Sequence, residues 1–567
     1  MILSAVSVWK KFDVSTPLRP GEYNRTEDRA AGMVFWDVTY SGRATEDGGV
    51  RIFAMFGKPS SGGKFPAVLL LPEAGAELDQ ELLYYFIDKG YAVLMPDYSG
   101  VRGGETEETP HTVYPPSLSY ANCSESGGLD VLDGDADKTC WFEWVSVALY
   151  SIEYLKSRED ISGIGVVGIR TGGEVAWKAM LSPDVKCGVA VNAVGWRAYR
   201  NIGKFADNAE INMSDERHRY IAGIESQSWA PFVKCPVLML CALRDETSDY
   251  DRAYDTFSRI GQPDGSAITY SADSGSCIGP DALADMDLFL ERNLKGREIY
   301  IPKPLNISLK SEGGALKAEV EYDEGGILEE TNIYYAESGE RTKSTFREWQ
   351  RIFRADGKEI KNGRVTCELH PYGGAAAVFV YATAKYINGF KVASKIASKR
   401  PEHPDENAVK SRVIYSGGDV DCFGVAAYED YSVAGIFLEG EAVPKRVKGY
   451  GGIGGAYSVG GIKTYKISSP RYVPDENAIL EFDIYARRDA QVKVAVDAVN
   501  AENRMERFSA MLSVRGGGKW KRIILQPGEL KSESSGVPLG SFAAGQALLF
   551  DCEDEENEYA VTNILWL

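Results

Sequence analysis

The sequence predicts a multidomain protein: a doubly wound, mostly parallel α/β sheet over residues 1–300, then two all-β sandwiches at 301–402 and 411–567, joined by a linker at 403–410. Three observations carry this. In the first half, apolar β-branched runs (FPAVLLL, YAVLM, IGVVGI) alternate with helical segments, and strand–helix–strand repeats require a parallel sheet. Past IPKPLNISL the 3.6-residue period disappears and short alternating runs replace it. Finally, 567 residues exceed what a single core holds.

The elements follow in order. GMVFWDVTYSG and GVRIFAMFGKP, joined by the charged turn RATEDGG, read as an antiparallel hairpin at a sheet edge. FPAVLLLPEAG is a strand buried on both faces, ELDQELLYYFIDKG a helix closing on Gly90, and YAVLMPDYSG the next strand. From about Val101 to Cys140 the chain turns polar, with Pro110, Pro115 and Pro116, as a long connection covering a site would. The helix WFEWVSVALYSIEYLKSR leads to the strand SGIGVVGI, a sharp glycine-rich corner and the helix EVAWKAMLS. CGVAVNAVG, a polar segment from about Trp196 to Phe232, CPVLMLCAL, SAITYSA and a helix from about Gly279 to Leu294 complete the sheet. LKAEVEYD, NIYYAES, WQRIFRA, GRVTCELH and AAVFVYATAKY then predict an immunoglobulin- or fibronectin-type sandwich. AILEFDIYAR, QVKVAVDAVN, KWKRIILQP, ALLFDC and VTNILWL predict a jelly roll.

A formal net charge of −19 argues against nucleic acid and anionic membrane surfaces as partners, and no apolar run is long enough to cross a bilayer. Neutral or cationic ligands fit the charge, and the oligomeric state stays open. MILSAVSVWKKFDV has no basic segment ahead of its apolar piece and no small-residue cleavage site. The expected compartment is therefore the cytoplasm, or the exterior if a leader has been removed. Nine cysteines without a CxxC pair point to free thiols in a reducing compartment. No cofactor or metal is expected: DGDADKT, with Asp133, Asp135 and Asp137, lacks the glycine and distant glutamate of a calcium loop and reads as a solvated acidic turn. GYGGIGGAYSVGG has no helix after it and reads as a loop, not a phosphate cradle.

Four stretches, in order, resemble the α/β-hydrolases of the dienelactone hydrolase and acetyl xylan esterase type, over the first half of the chain. FPAVLLLPEAG stands where such enzymes have a strand and an HGxG-like oxyanion loop, and VVGIRTGG where they have the G-x-S-x-G elbow. CPVLMLCALRDE stands where the acid follows a strand, and SADSGSCIGPDALADMDLFL resembles the histidine loop and last helix. The β units resemble those appended to carbohydrate-active enzymes, the last of them a carbohydrate-binding module. Trp520 and Trp566 are its candidate sugar platforms, with core packing as the simpler reading.

The resemblance implies acyl transfer, which needs a nucleophile, a histidine, an acid and oxyanion donors. At the nucleophile position stands Arg170, whose guanidinium has no lone pair to attack with. The histidine loop reads Ser274, Gly275, Ser276, Cys277, so Ser276 marks the degenerate histidine position. Asp245 survives as the acid, beside Glu246 and Asp249, and Glu73 replaces an oxyanion-loop glycine with an opposing carboxylate. Arg170, Glu73 and Asp245 are expected to form an ion-pair network filling the old site, with Thr171 beside them, since a buried guanidinium needs carboxylate partners. Two functions follow. One is a catalytically degenerate relative of carbohydrate or acyl esterases that holds a ligand or acts as a scaffold; its ligand is a carbohydrate, or a small carboxylate bound by Arg170. The other is an active hydrolase with a rearranged site using Thr171, Ser276 or a loop residue, with His111 or His218 as base.

Overall fold

Short apolar runs without polar alternation suit strands covered on both faces, and the first half of the chain is built on them. The structure, a computed structural model, describes residues 3–567 apart from 79, 102–109, 124–128, 130–131, 200–201, 206–212, 262–263, 273–276, 313–314, 340–341, 427–443, 501–503, 553 and 555–556. In chain order the N-terminal region contains α1 (Ala5–Trp9), β1 (Gly21–Asp28), β2 (Met33–Thr45), β3 (Gly48–Pro59), β4 (Phe65–Leu71), α2 (Gln80–Asp88) and β5 (Ala92–Pro96). There follow α3 (Cys140–Ser157), β6 (Ile161–Ile169), α4 (Thr171–Ala179), β7 (Val185–Val191), α5 (Asp215–Gly223), α6 (Ser226–Trp229), β8 (Val237–Ala242), α7 (Ala253–Phe257), β9 (Ala267–Ser271) and α8 (Pro280–Lys295).

These strands form one nine-stranded sheet in the order β1-β2-β3-β5-β4-β6-β7-β8-β9. It is parallel from β5 to β9 and antiparallel from β1 to the β3–β5 pair. α3 and α4 pack on one face through Trp144, Tyr154, Val175 and Trp177, while α2 and α8 cover the other through Leu82, Phe86, Met286 and Phe289. The sheet is thus mixed and doubly wound.

Two expectations need correction here. The β2–β3 hairpin is not at the edge, because β1 pairs outside β2. GEYNRTED is exposed along nearly its whole length, so it has no apolar alternation to betray it, and its pairing is interrupted by a bulge between Tyr23 and Thr26. The polar segment after Trp196 contains two helices, α5 and α6, α5 being started by Ser214, whose hydroxyl accepts from the Arg217 amide. The connection before α3 is partly pinned as well: Val113 exchanges two 2.9 Å backbone hydrogen bonds with Arg51 of β3.

Beyond residue 300 all the described strands but one isolated bridge pair antiparallel. A three-stranded and a five-stranded sheet occupy the middle of the chain, and two six-stranded sheets the end. In the last unit Leu480–Ala486 and Tyr559–Trp566 belong to one sheet, Ala490–Val499 and Gly545–Cys552 to the other. Phe482 and Phe550 meet between them at 5.0 Å in a shared core. Trp566 belongs to that core, 3% exposed, its indole N–H donating to Tyr472 O at 2.8 Å. Trp520 is half-buried against Tyr485, with its N–H on Tyr450 O.

The three regions are locked together by arginines, two of them, Arg244 and Arg347, buried. The Arg347 guanidinium grips Asp251 through two bonds of 2.5 and 2.7 Å and lies 3.5 Å over the Phe379 ring. Arg244 donates to the carbonyls of Thr345 and Arg347 and stacks 3.5 Å over Tyr465. Arg471 binds Glu337 with both donors at 2.8 Å. The stretch expected as a linker is tied back, with Asp405 N–H on Pro371 O at 2.8 Å and its carboxylate 2.9 Å from His370.

Arg347→Ala strands the Asp251 carboxylate, which is 5% exposed, and is expected to remove about 3–5 kcal/mol. In calorimetry the unfolding of the first and middle regions should then separate. The exposed pair of Arg354 and Glu330 provides the control, and an Arg354→Ala variant should melt like the parent.

Candidate functional site

The corner between β6 and α4 forces the chain through a turn that permits little substitution. Arg170 at its tip has φ 49° and ψ −115°, a strained conformation for a side-chain-bearing residue, costing about 1–3 kcal/mol. A Cβ on Gly168 would sit 2.4 Å from Gly172 O, and one on Gly172 only 2.1 Å from Leu71 O. Those glycines are required by close backbone approach. The turn is held by Arg170 N–H on Val191 O (2.8 Å) and Glu174 N–H on Arg170 O (2.9 Å). This is the strand–turn–helix geometry that presents a nucleophile in hydrolases, with an arginine in its place.

The Arg170 side chain runs to two carboxylates. Its Nε donates to Asp245 Oδ2 at 2.8 Å, and an Nη donates to Glu73 Oε2 at 2.8 Å. Asp245 is fully buried, and both its oxygens are satisfied: Oδ2 also receives Asn192 Nδ2 at 3.3 Å, and Oδ1 receives Thr247 N–H at 2.8 Å and the Thr247 hydroxyl at 2.5 Å. Asn192 is fixed in turn by Ala242 N–H on its Oδ1 at 2.7 Å. Burial alone would lower the Arg170 pKa, but Asp245 and Glu73 outweigh it and hold the guanidinium above its ordinary value. The group is a permanent cation.

The arrangement differs from the relay of acyl transfer in one respect that the described residues show. In a working triad an imidazole stands between nucleophile and acid; here the arginine itself reaches the acid. Thr171, expected beside the ion pairs, is turned into the protein interior. Its hydroxyl, wholly buried, accepts Ala74 N–H at 2.6 Å and meets the Tyr98 hydroxyl at 3.2 Å, whose proton goes to Pro72 O at 2.6 Å. The threonine therefore braces the oxyanion loop and engages one of its amides. His218 lies on the exposed face of α5, and His111 is half-buried beside Thr112, whose amide is bound by Asp97. Ser276 lies outside the described residues. Next to it, Cys277 is fully buried, and burial pushes its thiol up to about 11, so it is no thiolate nucleophile. Asp137 of the acidic turn is bound to Lys11 at 2.8 Å.

A second buried network behind the elbow escaped the sequence reading. On α4, Glu174 accepts Gly195 N–H at 2.8 Å and the Ser226 hydroxyl, while Lys178 Nζ donates to Glu174 O at 2.7 Å and Ser226 Oγ at 3.0 Å. Glu225 accepts Ala198 N–H at 2.8 Å and the Gln227 amide. Burial raises Glu225 to about 7 and lowers Lys178 to about 8. Only the chance spacing of Glu174 and Lys178 on one helix face could have signalled it.

The chain matches no protein-family model and no curated protein sequence. Among solved structures it is similar to acetyl xylan esterase 1 from Thermoanaerobacterium sp. JW/SL YS485, at 17% identity over 47% of this chain and 86% of that one, with a TM-score of 0.36. An acetyl xylan esterase from Paenibacillus sp. R4 gives 18%, 51%, 92% and 0.39. The acylaminoacyl peptidase of Pyrococcus horikoshii gives 16%, 52%, 44% and 0.32. Overlaps at this level leave the chemistry to the residues of this chain.

Two outcomes are expected. Arg170→Ala leaves Asp245 charged and buried and should cost about 3–5 kcal/mol in chemical denaturation; adding Asp245→Asn should recover part of it. Glu225 has a folded pKa of about 7 against an ordinary 4.5, so its contribution is complete below 4.5 and is lost as pH rises through 7. A Glu225→Gln variant should therefore show a flatter stability profile between those pH values than the parent.

Proposed function

We propose that this chain is a catalytically silent relative of carbohydrate or acyl esterases, a pseudoenzyme whose α/β region serves as a scaffold for ligand-holding β units of fibronectin and jelly-roll type. One observation carries the reading: the position that should offer a nucleophile is occupied by a guanidinium held between Asp245 and Glu73. Glu73 adds a negative charge where a developing oxyanion would need donors, and Ala74 N–H is already bound by Thr171. Arg244, next in chain to Asp245, reaches both β units, so the loop that would carry the acid serves as an inter-domain brace instead.

A small carboxylate at Arg170 is the weaker form of the ligand proposal, since one cation there already faces two carboxylates. A role in polysaccharide use, inside the cell or beyond it behind a leader, fits a chain whose net charge of −19 disfavours anionic partners. Among the described residues, the competing reading of an ester hydrolase with a rearranged site rests on the hydroxyl of Thr171, and that hydroxyl is buried and bonded on both sides.

Hydrolysis of 4-nitrophenyl acetate and of acetylated xylo-oligosaccharides by the parent, Arg170→Ala and Thr171→Ala proteins decides between them. Rates at the buffer background in all three are expected. Turnover by the parent that disappears in either variant would establish a working site and end the pseudoenzyme reading.

A further inference from the structure

Between the middle and last regions the chain encloses a cleft of about 740 Å³, within the range of about 300–1,000 Å³ typical of small-molecule sites at domain boundaries. Both β units line it. Tyr334 comes from the middle unit, half-buried and stacked on Tyr381 at 4.8 Å with 12° between the rings, which fixes it as a rigid plate. Tyr472 comes from the last unit, also half-buried, with Lys466 Nζ 4.9 Å from its ring centre and held there by Ile414 O at 2.8 Å. Arg351 pairs with Asp421 across the boundary at 3.0 Å, and Glu348, 5% exposed, lines the same space.

We infer that this cleft binds a neutral oligosaccharide, with Tyr334 and Tyr472 against sugar rings and Glu348, Arg351 and Asp421 bonded to hydroxyls. A hydrocarbon ligand would desolvate these charges without partners. An anionic one would meet the carboxylates of Glu348, Asp419 and Asp421 against two cations, on a protein of net charge −19. Sugar alternates apolar C–H faces with hydroxyl donors and acceptors, and the cleft offers aromatic faces beside fixed polar groups of both kinds. The inference rests on the ligand-holding role proposed above but not on the silence of the elbow, so sugar retention and ester turnover fail separately.

The test is retention of the full-length protein on a printed array of neutral, uronic-acid-bearing and amino-sugar-bearing oligosaccharides, followed by calorimetric titration of whichever neutral sugar retains it. Retention confined to neutral sugars is expected, weakened about tenfold by Tyr472→Ala and unchanged by Trp520→Ala, with melting curves confirming that both variants fold. Arg351→Ala, which removes a hydrogen-bonding group without touching the aromatic plates, should weaken the same titration. Retention only by charged sugars, no retention at all, or loss on Trp520→Ala with none on Tyr472→Ala would overturn the inference.

Discussion

A guanidinium cannot be buried without carboxylates to offset its lost hydration, and that constraint organises the site. Arg170 sits on a backbone corner that the close approach of β4 and β6 to α4 makes unavoidable, so its side chain must run into the space the corner faces. Asp245 and Glu73 receive it there. Each of the three residues is awkward alone: a positive-φ arginine, a fully buried aspartate and a carboxylate in a loop of backbone donors. Together they form a closed set in which every charge has a partner. The guanidinium of the set has no electron pair to give, and its carboxylate partners carry negative charge where an oxyanion would need donors.

The acid's neighbourhood carries the constraint outward. Arg244, one residue from Asp245, bonds carbonyls of the middle region and stacks on Tyr465 of the last, and Asp251, a few residues on, holds Arg347. The loops beyond β8 are thereby fixed at one end by the elbow and at the other by both β units. A lid-like opening over Arg170 would have to break buried ion pairs. The cleft between the β units, by contrast, is lined by half-buried tyrosines and remains open.

Much of the parallel sheet is legible in the sequence, because strands such as FPAVLLL and VLMLCA are wholly apolar and the helix after the first of them closes on Gly90, whose φ is positive. The elbow is legible too, since glycines at 168 and 172 after a β-branched run have a single steric explanation. The meeting of Arg170 with Asp245 and Glu73 is anticipated through the resemblance to the hydrolase elbow, acid loop and oxyanion loop, and the side chains do meet. What escapes is long-range or lacks a pattern. β1 is polar on both faces, and the grip of Arg244 and Arg347 on other regions depends on how the units dock, which local periodicity does not encode. The pairing of Glu174 with Ser226, and the cleft itself, exist only once distant segments meet.

The most direct measurement is intact-mass analysis of the protein after exposure to a fluorophosphonate, beside an Arg170→Ser variant. The parent should remain unmodified, and the variant as well, since a serine at the elbow would still lack a base and face Glu73. A stoichiometric phosphonyl adduct on the parent, mapped to Thr171 or to any residue beside the elbow, would show an activated nucleophile and contradict the reading of this site as an ion-paired, silent one.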